Sequence, residues 1–142
     1  MASPARVANL LGETGQFLTT TDLIKLTRRG IHSRGVSKLL AIIELSQDDF
    51  AKAVRMSART LSRRMMKASN LLSSEESEKA LRLARVFIEA SEILGSEEKA
   101  KLWIKHGNKG LGSVSPLQLL DSDLGTEQVL DVLGRIRDGV YS

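Results

Sequence analysis

The 142-residue sequence has no cysteine. That excludes a disulfide framework and a thiolate metal site, and it suits a reducing, cytoplasmic compartment. No apolar run approaches the ~18 residues of a membrane span. No long apolar run follows a basic start, so neither a secretory route nor a membrane partner is expected. The only histidines, His32 and His106, sit near glycines and lack ligand spacing to each other. No serine stands in a nucleophile elbow, and most acidic residues fall in first helical turns, where capping explains them. An enzyme is therefore not expected, and neither is a cofactor or a metal. Alternating apolar runs and hairpin turns are also missing, so no β-structure is expected.

What is present is ordinary in amount and uneven in placement. Hydrophobic residues make up 42% and charged residues 27%, as in a globular chain. The length fits one domain, or two small ones sharing a core. Residues 1–72 hold 12 Lys+Arg and 5 Asp+Glu, a net +7; residues 73–142 hold 9 and 12, a net −3. A phosphate-binding half joined to a different kind of module has this asymmetry.

The chain reads as all-α, with about eight helices. Residues 1–21 are weakly patterned: Leu10, Leu11, Phe17 and Leu18 can dock, but Gly12 and Gly15 break a helix, which predicts a mobile lead-in. A helix starts at Asp22 after Thr19-Thr20-Thr21 and ends at Gly30. Ser33 is the expected cap of the next, whose Val36, Leu39, Leu40 and Ile43 form one apolar face. Ser73-x-x-Glu76 is a capping box. It opens a helix to about Leu94, stopped by Gly95, with Leu81, Ala84, Phe87, Ile88, Ser91 and Leu94 as its inner stripe. Ser96 restarts a helix to about Lys105, with Trp103 and Leu102 expected in the core. His106–Val114 has three glycines in six residues and reads as a structural turn. Ser115-Pro116 starts a short helix. Thr126 is the expected cap of the last one, which Gly139 ends.

Ser46 to Met66 is the stretch with the most specific layout. Ser46 caps a helix to about Val54, with Asp48 and Asp49 in its first turn. Ser57 caps a second, Ala58 to about Met66, carrying Arg59, Arg63 and Arg64. Phe50, Val54, Leu61 and Met65 are spaced to face one core. Two short helices around a tight joint, the second basic, are the layout of a helix-turn-helix. Arg55 stands at the joint, where glycine with positive φ is usual. A helical hairpin with a solvated basic face is the alternative for these residues.

Landmarks along the rest of the chain resemble the Xre/MbcA/ParS antitoxins of bacterial toxin–antitoxin pairs. Ser57-x-x-Thr60-Leu61-x-Arg63-Arg64 is similar to their Xre-type helix-turn-helix. The C-terminal landmarks are Leu83-x-Arg85-Val86, Ala90-x-x-Ile93-x-Gly95, Ala100-x-x-Trp103-Ile104, Asn108-x-x-Leu111-Gly112, Ser115-Pro116-Leu117-x-Leu119-Leu120 and Val129-x-x-x-Leu133-x-Arg135-Ile136-x-x-Gly139-Val140. The resemblance spans roughly residues 22–142; nothing ahead of Asp22 matches it, and Arg55 departs from it.

The resemblance implies a helix-turn-helix domain over 22–72 and, joined by the long helix, a toxin-binding domain over 73–142. It implies that the chain neutralises a RES-domain, NAD-consuming toxin and represses its own operon. Ser57, Arg59, Thr60, Ser62, Arg63, Arg64 and Lys67 are then the expected contacts to double-stranded operator DNA, read by a homodimer on half-sites about 34 Å apart. Asn108, Leu111, Gly112, Ser115, Arg135, Gly139, Val140, Tyr141 and Ser142 are the expected toxin contacts, with the tail blocking the toxin's substrate pocket. A stand-alone regulator with a C-terminal dimerisation or effector domain, and an adaptor acting by protein contacts alone, remain the alternatives.

Overall fold

The computed structural model describes residues 2–139. The expected contacts Val140, Tyr141 and Ser142 lie outside the described residues. Among the described residues there are nine α-helices, one 3₁₀ turn and no strand. No helix among them is long and apolar enough to cross a membrane.

The first helix corrects the reading of residues 1–21 as a mobile lead-in. Ser3 caps α1 (Pro4–Leu10) by accepting from the Arg6 N–H, with Pro4 in the first turn. Val7 and Leu11 are fully buried, and Ala8 and Leu10 nearly so. Gly12, with φ +71°, turns the chain after this helix rather than breaking it. A Cβ added to Gly35 would lie 2.0 Å from the Leu11 carbonyl oxygen. The end of α1 therefore rests on the backbone of α3 (Ser33–Ile43).

α2 (Thr20–Arg29) begins two residues before Asp22. Thr19 is its cap and Asp22 closes the capping box. The Leu18 and Thr19 N–H groups donate to the Asp22 carboxylate and hold its pKa below the usual range. At α3 the cap position belongs to His32. Ser33, expected to cap, is buried instead, and its hydroxyl donates to the Arg64 carbonyl at 2.6 Å and the Asn70 carbonyl at 3.1 Å. Val36, Leu39, Leu40 and Ile43 are buried as the spacing predicts.

α4 (Gln47–Ala53) and α5 (Ala58–Met65) follow. Then comes α6 (Ser74–Leu94), which is closed by the predicted capping box and stopped at Gly95 in a left-handed turn. It packs against α1, α2 and α3 and against two later helices, Glu97–Lys105 and Asp123–Arg137. Its buried set is wider than the predicted stripe. Ala84, Phe87, Ile88 and Ser91 are joined by Ser77, Ala80, Leu83, Val86 and Ala90, while Leu81 and Leu94 are only partly covered. The predicted stripe is one edge of a broader buried band, opposite exposed Glu78, Arg85 and Glu92.

α7 (Glu97–Lys105) starts from the Ser96 cap. Its buried residues are Ala100 and Ile104, with Trp103 half-buried; Leu102, expected in the core, is 61% exposed. α8 (Pro116–Leu119) is capped by Ser115. α9 (Asp123–Arg137) starts three residues before Thr126, on a Ser122 cap whose side chain accepts from the Gly125 N–H at 3.0 Å. Gly125 is helical, and a Cβ there would lie 2.0 Å from the Leu119 carbonyl oxygen. This glycine permits close packing of α8 on α9 rather than breaking a helix. One contiguous hydrophobic cluster runs from Val7 to Leu133, so both halves share a core.

Leu11→Ala removes a fully buried side chain at the α1–α3 contact. It is expected to cost about 2–5 kcal/mol in urea unfolding. A loss below about 0.5 kcal/mol, the size of an ordinary surface substitution, would mean that the segment does not dock in solution.

Candidate functional site

The expected helix-turn-helix is built as its spacing predicts. Ser46 accepts from the Asp49 N–H and Ser57 from the Thr60 N–H, so each of its helices has a side-chain cap. Phe50, Ala51, Val54 and Leu61 are buried between them, and Met65 packs at the edge. The joint residue Arg55 has φ +53°, the left-handed conformation that glycine supplies at no side-chain cost. Its guanidinium reaches Asp121, between α8 and α9, at 2.6 Å.

The sequence-derived residues on this motif divide by what they touch. Arg59, Ser62, Arg63 and Lys67 are exposed, and none of the three cations among them has a carboxylate partner among the described residues. Ser57 and half-buried Thr60 are tied together, the Ser57 hydroxyl donating to Thr60 Oγ1 at 2.8 Å. Arg64 departs from the expected outer face. It is half-buried, and its Nε and Nη2 donate to the two oxygens of Glu76 at 3.0 and 3.4 Å. It fastens α5 to the first turn of α6.

Burial acts to raise the Glu76 pKa, but the Arg64 guanidinium and the Ser73 N–H outweigh it and the carboxyl is held below its usual value.

The exit of α5 is sewn to the start of α3. The Ser33 N–H donates to the Asn70 carbonyl at 2.8 Å, and the Arg34 N–H to the Ala68 carbonyl at 3.0 Å. Asn70 Nδ2 donates to the Arg64 carbonyl at 3.1 Å. The position of α5 is thereby fixed relative to α3 and α6.

The sequence-derived residues of the C-terminal module are more dispersed. Asn108 holds a turn: its Oδ1 accepts from the Gly110 N–H at 2.8 Å, and its own N–H donates to the Val114 carbonyl at 3.0 Å. Leu111 and Ser115 are buried, the first in the core and the second capping α8. Their side chains therefore serve the framework, and little of either reaches the outer surface. Gly112, with φ +70°, and Gly139, with φ +77°, are exposed. Arg135 is exposed on α9.

Two residues outside the sequence-derived set border the motif: Asp121, through its ion pair with Arg55, and Arg34, through its backbone bond to Ala68. Spacing gives no signal for either, because tertiary packing brings them there.

The comparisons fall on the same two parts. Residues 22–85 match the antitoxin Xre-like helix-turn-helix domain model, and residues 89–139 match the antitoxin Xre/MbcA/ParS C-terminal toxin-binding domain model. An Antitoxin Xre of Yersinia enterocolitica is 29% identical over 123 residues, covering 86% of this chain and 82% of that protein. An Antitoxin Xre of Photorhabdus laumondii is 30% identical over 108 residues, covering 75% and 72%. A chain of the crystal structure of the M. tuberculosis MbcT–MbcA toxin–antitoxin complex has a similar fold. It aligns with a TM-score of 0.55 at 20% identity over 78% of this chain and 96% of that one.

The pH dependence of Glu76 follows from its lowered pKa. A carboxyl depressed in the folded state stabilises it above the unfolded value, about 4.3, and loses that contribution as pH falls through the folded value. Glu76→Gln keeps a residue able to close the capping box but removes the charge. The stability gap between wild type and Glu76→Gln should be widest near pH 7 and shrink towards pH 3 in thermal melts. A gap that does not change with pH would refute the pairing with Arg64.

With both modules matched in order and 30% identity carried across 72% of a relative's length, the chain belongs to the Xre/MbcA/ParS family, the antitoxins of toxin–antitoxin systems, and carries their helix-turn-helix.

Proposed function

We propose that this antitoxin binds and neutralises a RES-domain, NAD-consuming toxin, and that it represses its own operon in the cytoplasm through α5. The match of residues 89–139 to a toxin-binding domain model carries the toxin half of this reading. The MbcT–MbcA structure, solved as a toxin–antitoxin complex, is consistent with it. The RES identity of the toxin rests on the resemblance in sequence. Neutralisation acts by contact: the toxin's substrate access is covered by surface from this module, to which exposed Gly112, Arg135 and Gly139 belong.

The exposed cations of α5 support the DNA half. Arg63 is assigned to a base edge, where a guanidinium can donate two hydrogen bonds to guanine. Arg59 and Lys67 are assigned to phosphates. Thr60 and Ser62 lie beside them, and Arg64 contributes by holding the helix. A helix-turn-helix this small reads few base pairs, so a homodimer on a palindrome is the expected form.

Co-expression with the product of the adjacent gene tests the toxin half. A stable complex and preserved NAD levels are expected. No complex and no protection would favour the stand-alone regulator. For the DNA half, Arg63→Ala should cost about 1–3 kcal/mol on a selected duplex and relax preference at one base pair. Unchanged affinity and preference would remove α5 from the reading role.

A further inference from the structure

We infer that Arg34, at the start of α3, is a further phosphate contact that works with Lys67 and extends the DNA-binding surface beyond the helix-turn-helix. This rests on the DNA half of the proposed function and names a residue that the motif itself does not include.

Several cations of the basic half are engaged within the fold. Arg6 pairs with Glu92, Arg29 with Glu13, Arg55 with Asp121 and Arg64 with Glu76. Lys38 donates to the Asn9 carbonyl. Arg34 has no carboxylate partner among the described residues and is exposed. Lys67 and Arg63 are in the same condition, as are Arg59 on α5 and Lys25, Arg28 and Lys52 elsewhere.

Arg34, Lys67 and Arg63 are one group in space, although Arg34 is 29 positions from Arg63 in sequence. The Arg34 N–H donates to the Ala68 carbonyl, next to Lys67, at 3.0 Å. The adjoining Ser33 is bonded to the carbonyls of Arg64 and Asn70. The Arg34 backbone is therefore fixed to the turn that leaves α5, by bonds that do not involve its side chain. Glu76, the carboxylate bonded at this end of α5 among the described residues, is occupied by Arg64.

A flexible cation on a rigid mount beside a second cation suits a phosphate rather than a base edge. Phosphate contacts fix register without carrying sequence. When the α5 face enters the major groove, its exit turn lies towards one phosphate strand. Arg34 and Lys67 then bracket that strand, and each contact releases about one counterion.

The test uses the full chain and a duplex selected from a randomised pool by the wild-type protein, with an unselected duplex alongside. Affinity is measured against salt. Arg34→Ala should reduce the slope of log affinity against log salt by about 0.9. It should weaken binding about five-fold near 0.15 M salt, a loss that follows from that slope. Both duplexes should show the change, and the preference between them should stay the same. Arg34→Lys should restore most of the slope, which a role in folding alone would not require. Arg85→Ala, another exposed cation, on α6 in the groove facing α9, should leave the slope unchanged.

A wild-type slope in Arg34→Ala, with Arg63→Ala still impaired, overturns the inference and leaves the helix-turn-helix reading standing. A pool in which the wild-type protein enriches no sequence, with a slope near zero on the unselected duplex, overturns both.

Discussion

The structure depends on one helix that buries more than a single stripe. A helix at a domain surface buries a single stripe and leaves its other face to water. α6 buries a broader band, with Leu83, Val86 and Ala90 as fully covered as Ala84, Phe87 and Ile88, while Glu78, Arg85 and Glu92 keep its outer face in water. Its small residues, Ala80, Ala84 and Ala90, are fully buried where helices approach. Ser77, also fully buried, accepts from the Ile31 N–H at 2.8 Å and so satisfies a backbone donor in the α2–α3 link. The C-terminal module and the helix-turn-helix are consequently fixed on one spine, with no linker between them.

That arrangement decides what the Arg55–Asp121 ion pair contributes. The Arg55 side chain is 77% exposed, and an exposed pair is worth little, with a median of roughly 0–1 kcal/mol. The two modules are held in register by the packing of α8 on α4 and by the shared core. The pair acts at a finer level: it engages the side chain of the residue whose positive φ makes the joint. Arg55 accepts a conformation that costs an L-residue on the order of 1 kcal/mol. Its side chain reaches a partner that glycine lacks.

Local signals were legible in the sequence wherever a single segment decides its own structure. Ser57, Ser73, Ser96 and Ser115 all cap the helices they precede. Arg55 departs from the glycine usual at the joint, and its φ of +53° shows that it takes the glycine's conformation all the same. The failures have a shared cause, which is that another segment decides. Ser33 has the residue type of a cap, but its hydroxyl is claimed by carbonyls 31 and 37 positions away. Gly125 has the type of a breaker, but it is required inside α9 by the Leu119 carbonyl. The α1 segment carries too few residues to show a period, although its Ser3-Pro4 start is the same signal as Ser115-Pro116. The candidate site divides likewise. The exposure of Arg59, Arg63 and Lys67 follows from the face of α5, whereas the loss of Arg64 to Glu76 depends on where α6 begins.

The charge asymmetry of the sequence takes on a different meaning in three dimensions. Part of the basic half's excess is not presented to a partner, because carboxylates of the acidic half pair with it. Glu92, Asp121 and Glu76 take Arg6, Arg55 and Arg64, while Lys101 returns the exchange by lying 3.6 Å from Glu44. At physiological salt a field is screened over about 8 Å, so a distant phosphate responds to the local cluster and not to a half-chain's net charge. The exposed cations without acidic partners at α5 and its exit are such a cluster. Lys25, Arg28 and Lys52 are also exposed without acidic partners among the described residues, so this cluster is set apart by its place at α5, while the pairs tie the two modules together. Electrostatics here therefore serves assembly between the halves first, and it leaves for nucleic acid only the cations that the fold does not use.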